Sequence, residues 1–100
     1  MAPKALNEKE ITENLANLEG WSVQENQLQK TFQLETYLAG LALATAIGTV
    51  CEGLGHHPEM QIGYKKVTVQ FTTHDAGSAL TAKDFEAAHA VDQLGYPKSK

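Results

Sequence analysis

The chain of 100 residues is 42% hydrophobic and 20% charged, a balance typical of one globular domain and unlike that of a disordered segment. Its formal net charge of −4 and its lack of arginine argue against nucleic-acid binding, which needs clustered basic side chains. We therefore expect a single domain over residues 1–100 with no direct nucleic-acid partner.

Cysteine use and hydropathy bear on where the protein works. Cys51 is the only cysteine, so no intrachain disulfide can form, and a lone thiol in an apolar stretch fits a reducing compartment. The segment Met1–Glu10 lacks the apolar core of a secretory signal, and the uncharged run Thr36–Cys51 is too short and too rich in small residues to span a bilayer. We expect a cytoplasmic protein with no membrane partner. A transit peptide removed from a longer precursor is an open alternative.

The N-terminal third predicts a helix followed by a β-hairpin. Asn7 and Glu10 have the spacing of a capping box, and apolar residues then recur at helical spacing up to Gly20, namely Ile11, Leu15 and Leu18. Trp21 and Val23 alternate with polar residues as in a strand, and Asn26–Gln27 predicts the turn. The second arm carries Leu28, Lys30, Phe32 and Leu34 on one face.

A long helix is predicted from about residue 35 to residue 54. It has almost no charged side chain before Glu52, and a helix that is apolar nearly all round must be covered on more than one side. Because little chain remains to surround it, we expect another subunit to cover part of it. The alternative is a fully central helix within one chain.

The C-terminal half repeats the pattern of hairpin and helix. Gly55 ends the long helix, and a second hairpin follows over residues 59–64 and 67–74. The last helix begins at the capping residue Thr81 with Asp84 at its third position, and one face carries Phe85, Ala88, Val91 and Leu94. The order α-β-β-α-β-β-α predicts an α+β fold, an antiparallel sheet with helices packed on one face.

The register of the second hairpin predicts where the histidines meet. Pairing Ile62 with Val69 directs the apolar residues of both strands to the core, since opposed residues share a face. The same register places His57 opposite His74, about 4.5–5.5 Å apart between α-carbons. A register shifted by two residues keeps the faces and leaves both histidines in one small site, and Pro58 favours an interruption of the ladder.

Glu52 is predicted to join the histidines if the long helix persists as far as His56, because it lies four residues, or one helical turn, before it. A carboxylate beside an imidazole fixes its tautomer. The candidate site is therefore Glu52, His56, His57 and His74. Imidazoles titrate near pH 6.5, about where one ring can carry a proton while another accepts one. This chemistry suits the reversible addition or elimination of water.

Two other kinds of site are weighed against acid/base chemistry. Three histidines can hold zinc, but adjacent residues on a strand point to opposite faces, so His56 and His57 are awkward joint ligands. Cys51 is predicted to be buried in the long helix, which leaves little support for covalent catalysis. We expect no metal site.

Several motifs together resemble the pterin-4a-carbinolamine dehydratase family, also known as the dimerisation cofactor family. They are Gly55-His56-His57-Pro58-Glu59, Tyr64-Lys65-Lys66-Val67 and Thr72-Thr73-His74-Asp75, with weaker matches at Gly20-Trp21, Phe32-Gln33-Leu34 and Leu80-Thr81-Ala82-Lys83-Asp84. The resemblance runs from about Leu6 to Leu94. The His-His-Pro motif with its spaced third histidine is its most specific part.

The resemblance implies a four-stranded antiparallel sheet with three helices, and a homodimer or homotetramer. It implies dehydration of a 4a-hydroxytetrahydropterin to a quinonoid dihydropterin, which recycles the cofactor of aromatic amino-acid hydroxylases, with the pterin as substrate and no other cofactor. His56 and His74 match the acid/base pair and His57 the pterin-binding residue. Further positions match the lining or support of the site, namely Glu52, Pro58, Thr72, Thr73 and Asp84.

The chain departs from the family pattern at three places: Met60 stands where an aromatic residue is common, Gly55 where a polar one often precedes the histidines, and residues 76–79 differ from the usual glycine-rich turn. Some members of this family act instead as dimerisation cofactors of a transcription factor or assist protein assembly. The resemblance therefore leaves a second hypothesis, in which the long apolar helix binds a protein partner.

Overall fold

A computed structural model describes residues 4–95. The elements in chain order are α1 (Glu8–Leu15), β1 (Ser22–Gln24), β2 (Gln27–Gln33), α2 (Tyr37–Leu54), β3 (Glu59–Gly63), β4 (Lys66–Phe71), a short 3₁₀ helix (His74–Ala76) and α3 (Ala82–Asp92). The four strands form one antiparallel sheet in the order β1-β2-β4-β3. This confirms the predicted α+β class, strand number and element order.

The predicted helix starts are confirmed, because their capping residues make the expected hydrogen bonds. The Asn7 side chain accepts from the backbone N–H of Glu10, and the Glu10 carboxylate accepts from the backbone N–H of Asn7. Thr81 and Asp84 form the same capping box at α3. The end of α1 differs from the prediction, since the helix stops at Leu15 rather than near Gly20.

The turns of both hairpins lie one residue earlier than predicted. The first is Glu25–Asn26, whose φ angles of 51° and 63° are left-handed, as a tight two-residue hairpin turn requires. The second is Tyr64–Lys65, with a φ of 61° at Lys65. Each turn fixes the pairing of its strands, so a shift of the turn changes the whole register.

The predicted pairing of Ile62 with Val69 is therefore wrong. Met60 pairs with Val69 and Ile62 with Val67, a difference of two residues that keeps the faces, as the alternative register would. Continued outward, this register would bring His57 opposite Thr72, but β3 begins only at Glu59 and β4 ends at Phe71. His57 and His74 are thus not a cross-strand pair.

The core lies between one face of the sheet and helices α2 and α3. It is built from β4 residues Val67, Val69 and Phe71 together with buried side chains of the two helices, chiefly Leu43, Ile47, Cys51, Phe85, Ala88 and Val91. The opposite face of the sheet is polar, with a hydrogen bond between the hydroxyls of Thr31 and Thr68. Hydrophobic burial on one face holds the ends of α2 and β4 and the start of α3 together.

Helix α2 buries only one side in this fold. Leu38 is 72% exposed and Tyr37 49% exposed at its start, and Leu54 is 41% exposed at its end. Its 18 residues are long and apolar enough to cross a membrane by length and composition alone, which differs from the expectation for the uncharged run Thr36–Cys51. That criterion is also met by core helices of soluble proteins, and the buried stripe of α2 packs on the sheet.

Candidate active site

A cleft of about 210 Å³ opens where α2 ends, β4 ends and α3 begins. Its lining consists of Gly55, His56, His57, Thr72, Thr73, His74, Asp75 and Lys83. All three predicted histidines, together with Thr72 and Thr73, are therefore brought to one concave surface. Glu52, Pro58 and Asp84 are not part of the lining, although two of them bond to histidines that are.

Gly55 directs both adjacent histidines into the cleft. Its φ of 68° is left-handed, a conformation that glycine adopts without steric cost. The Gly55 N–H donates to the carbonyl of Glu52 and the His56 N–H to that of Cys51, which is the Schellman pattern of a helix end. The helix therefore stops before His56, so the predicted helical contact between Glu52 and His56 is wrong.

His56 bonds instead to Asp84, 28 residues later in the chain. The His56 Nε2 atom lies 2.6 Å from Asp84 Oδ1, and the His56 ring stacks on Phe71 with 5.9 Å between centroids and an angle of 10° between planes. A carboxylate only accepts hydrogen bonds, so with Asp84 ionised Nε2 carries the proton. Proton exchange between His56 and a ligand then falls to Nδ1.

The Asp84 side chain is fully buried and its second oxygen is also satisfied. Oδ2 accepts from the Thr73 hydroxyl at 2.8 Å and from the Thr81 backbone N–H at 2.9 Å. The hydroxyls of Thr73 and Thr81 lie 2.7 Å apart. Asp84 was expected as a lining residue, but it lies behind His56 and fixes its orientation.

His57 has the partner that was predicted for His56. Its Nε2 atom lies 2.6 Å from Glu52 Oε1, and the two side chains are 64% and 78% exposed. Because α2 ends at Leu54, the chain turns and brings the second histidine, not the first, over the last helical turn. Ion pairs with this exposure contribute little to stability, so Glu52 acts mainly on the orientation of His57.

His74 lies beyond the end of β4, in the 3₁₀ helix, and not on the strand as predicted. The loop that carries it is closed by a bridge between Thr73 and Ala79, in which the Thr73 N–H donates to the Ala79 carbonyl at 3.0 Å. His74 is exposed, and its Nδ1 atom lies 3.4 Å from the hydroxyl of Ser78.

Sequence reasoning missed the place of Lys83 in the lining of the cleft, the contact between Ser78 and His74, and the contact between His56 and Asp84. The predicted α3 cap did place Asp84 correctly, but no local pattern signals that its other oxygen faces a histidine 28 residues away. The Thr72 Oγ1 atom is buried at the cleft, and no other group within residues 4–95 forms a hydrogen bond with it. Across the same residues, no three His, Cys, Asp or Glu side chains are arranged to hold a metal ion.

Comparison with known proteins gives a consistent family. A family model described as pterin 4 alpha carbinolamine dehydratase matches residues 4–94. A protein of Roseiflexus castenholzii, named provisionally as pterin-4-alpha-carbinolamine dehydratase, is 43% identical over 89 residues, which cover 89% of this chain and 95% of the relative. A protein of Aquifex aeolicus with the same provisional name is 35% identical, with 91% of each chain covered.

Two solved structures have the same fold. One is described as a transcriptional coactivator/pterin dehydratase from Brucella melitensis, with a TM-score of 0.84, 25% identity and coverage of 91% of this chain and 98% of that one. The other is described as a pterin dehydratase-like RuBisCO assembly factor of the alpha-carboxysome, with a TM-score of 0.60, 25% identity and coverage of 76% and 87%.

Proposed function

Since this chain belongs to the pterin 4 alpha carbinolamine dehydratase family, we propose that it removes water from a 4a-hydroxytetrahydropterin and releases a quinonoid dihydropterin. The observation that carries this proposal is the meeting of His56, His57 and His74 in one cleft. They come from a helix end and a loop after a strand, so only the folded chain brings them together.

In the proposed reaction, one histidine of the pair His56 and His74 donates a proton to the departing 4a-hydroxyl as its C–O bond breaks. The other takes the proton from the adjacent ring nitrogen, whose electron pair forms the new C=N bond. Water leaves, and exchange with solvent restores both histidines. His57, held by Glu52, binds and orients the pterin. Each proton-transfer partner is worth on the order of 10²–10⁴ in rate.

The surroundings of the cleft support this division of labour. Asp84 and Glu52 hold Nε2 of His56 and His57 respectively, and Phe71 supports the His56 ring from behind. The reaction needs no metal or organic cofactor, and in the cell it would recycle a tetrahydropterin for aromatic amino-acid hydroxylation, in the cytoplasm. Stoichiometric zinc in the purified protein would contradict the assignment of these histidines.

The direct test is the rate of carbinolamine dehydration with and without protein. The double variant His56→Gln/His74→Gln is expected to lose the catalysed rate, whereas His89→Gln, on the exposed side of α3, is the control and is expected to keep it. The wild-type rate is expected to depend on at least one ionisation between about pH 5 and pH 9, where imidazoles titrate. A wild-type rate in the double variant would rule out the proposal.

The exposed side of α2 favours a second function, the association of this chain with another protein chain. Leu38, Ala42, Thr45 and Thr49 are exposed along one stripe of this helix, and a groove of about 190 Å³ beside it is lined by Ala42, Leu43, Ala46 and Leu94. We propose that this side forms the interface of a homodimer or homotetramer. In the alternative, it binds another protein, as the coactivator and assembly-factor descriptions of the two solved structures suggest.

Two threonines with the same local environment provide the test. The hydroxyls of Thr45 on α2 and Thr12 on α1 each donate to the carbonyl four residues earlier, and both are exposed. Thr45→Arg is expected to shift the protein to monomers in sedimentation velocity, and Thr12→Arg to leave the assembly unchanged. Assembly that survives Thr45→Arg would place the interface elsewhere.

A further inference from the structure

Ser78 is the side-chain partner of the third histidine in the cleft. His56 and His57 are paired with carboxylates, while His74 Nδ1 lies 3.4 Å from the Ser78 hydroxyl. We propose that Ser78 is a positioning residue that holds the proton of His74 on Nδ1 and so presents Nε2 to the cleft. This inference rests on the proposed function, because it matters only if His74 transfers a proton.

The proton cycle of His74 decides which atom donates. A hydroxyl can donate to Nδ1 or accept from it, but a protonated imidazole carries hydrogen on both nitrogens and can only donate. If Ser78 Oγ accepts from Nδ1–H, the same hydrogen bond persists in the neutral and the protonated state of the ring. If Ser78 donated, the bond would break each time His74 took up a proton. The acceptor role of Ser78 therefore suits a histidine that cycles, with Nε2 as its exchanging nitrogen.

The backbone at Ser78 gives an independent reason for a functional side chain. Gly77 and Ser78 have φ angles of 74° and 59°, both left-handed. Between residues 4 and 95, the other non-glycine residues with positive φ are Glu25, Asn26 and Lys65, and all three lie in the two hairpin turns. Glycine adopts this conformation without steric cost, so a serine there is best explained by what its hydroxyl contacts.

The distance between Ser78 Oγ and His74 Nδ1 sets the expected size of the change in kcat. At 3.4 Å it is longer than an optimal hydrogen bond, and both side chains are exposed. Catalytic hydrogen bonds often tighten when substrate binds. A single neutral hydrogen bond corresponds to about a two- to tenfold change in rate, so loss of the hydroxyl is expected to lower kcat within that range and to leave KM nearly unchanged.

Ser78→Gly and Ser78→Ala separate the hydroxyl from the backbone. Both remove the hydroxyl, but glycine accepts a φ of 59° freely and alanine does not. We expect both variants to lose a similar fraction of kcat, whereas Tm is expected to rise only in Ser78→Gly, because alanine retains the left-handed strain that serine already has. The assay would use the 4a-hydroxytetrahydropterin carbinolamine, and thermal unfolding would be followed by circular dichroism.

The decisive measurement is the tautomer of the His74 ring, read from its ¹⁵N chemical shifts in long-range ¹H–¹⁵N spectra. The neutral wild-type ring is expected as the Nδ1–H form, and Ser78→Gly is expected to shift it toward Nε2–H, while the His57 ring remains unchanged as an internal control. Wild-type His74 shifts in Ser78→Gly would overturn the role of Ser78 and leave the proposed function intact. A wild-type rate in His74→Gln would instead overturn the proposed function, whatever the spectra of the Ser78 variants.

Discussion

The two sides of the cleft hold their histidines in opposite environments. On the inner side, the His56 side chain is 12% exposed and its partner Asp84 is fully buried, with hydrogen bonds to Thr73 and Thr81. On the outer side, His57 and Glu52 are mostly exposed, and within the described part of the chain the His74 ring has only the hydroxyl of Ser78 as a hydrogen-bond partner. The inner side is built into the core, whereas the outer side is attached to helix and loop ends.

This difference shows how one cleft can combine a fixed ring with two adjustable ones. A buried carboxylate is tolerated only when its oxygens are satisfied, so His56 has little freedom to turn away. An exposed pair exchanges its partners with water at small cost. His56 is therefore suited to define where a flat ligand lies, while His57 and His74 can adjust to it.

The largest expected difference in stability and rate is between two variants that make the same chemical change on the inner and the outer side of the cleft. Asp84→Asn and Glu52→Gln each replace a carboxylate by an amide of similar shape. In Asp84→Asn, an amide N–H group would replace one of the carboxylate oxygens that accept from the Thr73 hydroxyl, the Thr81 N–H and His56. We expect this change to cost about 3 kcal/mol of unfolding free energy and about a hundredfold in rate. Glu52→Gln is expected to cost less than about 1 kcal/mol. Urea unfolding and the dehydration assay measure both.

Equal losses of stability in these two variants would break the comparison, because they would mean that burial does not distinguish the two histidine partners. A loss of both stability and rate in Asp84→Asn, with little loss of stability in Glu52→Gln, would sharpen it, because one buried carboxylate would then serve both the fold and the orientation of His56.

Removing the hydroxyls of the adjacent residues Thr72 and Thr73 is expected to change the unfolding free energy by smaller amounts and in different directions. The Thr73 hydroxyl bonds to Asp84 and Thr81, whereas the Thr72 hydroxyl is buried and has no hydrogen-bond partner among residues 4–95. Thr73→Val is expected to lower the unfolding free energy by about 1–3 kcal/mol, and Thr72→Val to leave it unchanged or raise it by about 1 kcal/mol. Thermal unfolding of both variants in one buffer checks this, and a destabilised Thr72→Val would contradict it.

The smallest effect concerns Cys51, in the buried stripe of α2 that leads into the cleft. Burial raises the pKa of its thiol above the ordinary value of 9.0. The unfolded chain thus ionises first, so the stability due to this difference is complete below pH 9.0 and is lost as pH rises through the higher folded value. We expect the unfolding free energy of wild type to fall more steeply above pH 9.0 than that of Cys51→Ala. Parallel pH profiles would show that the thiol is not the cause.

The sequence predicted the parts of the molecule that depend on local patterns. Helix caps at Asn7 and Thr81, the αL residue Gly55 and the order of elements follow from spacing and residue type within a few positions. The lining of the cleft by His56, His57 and His74 was also predicted, although the register behind that prediction was wrong.

What could not be predicted depends on single-residue shifts and on distant contacts. A turn at Tyr64–Lys65 instead of one residue later moves the pairing by two, and both turns satisfy the hydrophobic alternation. The partners of the histidines depend on where α2 stops and on how α3 packs against β4. The bond between His56 and Asp84 spans 28 residues, and no periodicity in the sequence encodes it.

The capping box of α3 has a further consequence, because one carboxylate serves both the helix and the cleft. One oxygen of Asp84 satisfies the backbone N–H of Thr81, and the other holds His56. The first turn of α3 therefore cannot fray without releasing the ring, and a bound ligand that restrains His56 would slow that opening. Amide hydrogen exchange at the start of α3 would then report occupancy of the cleft.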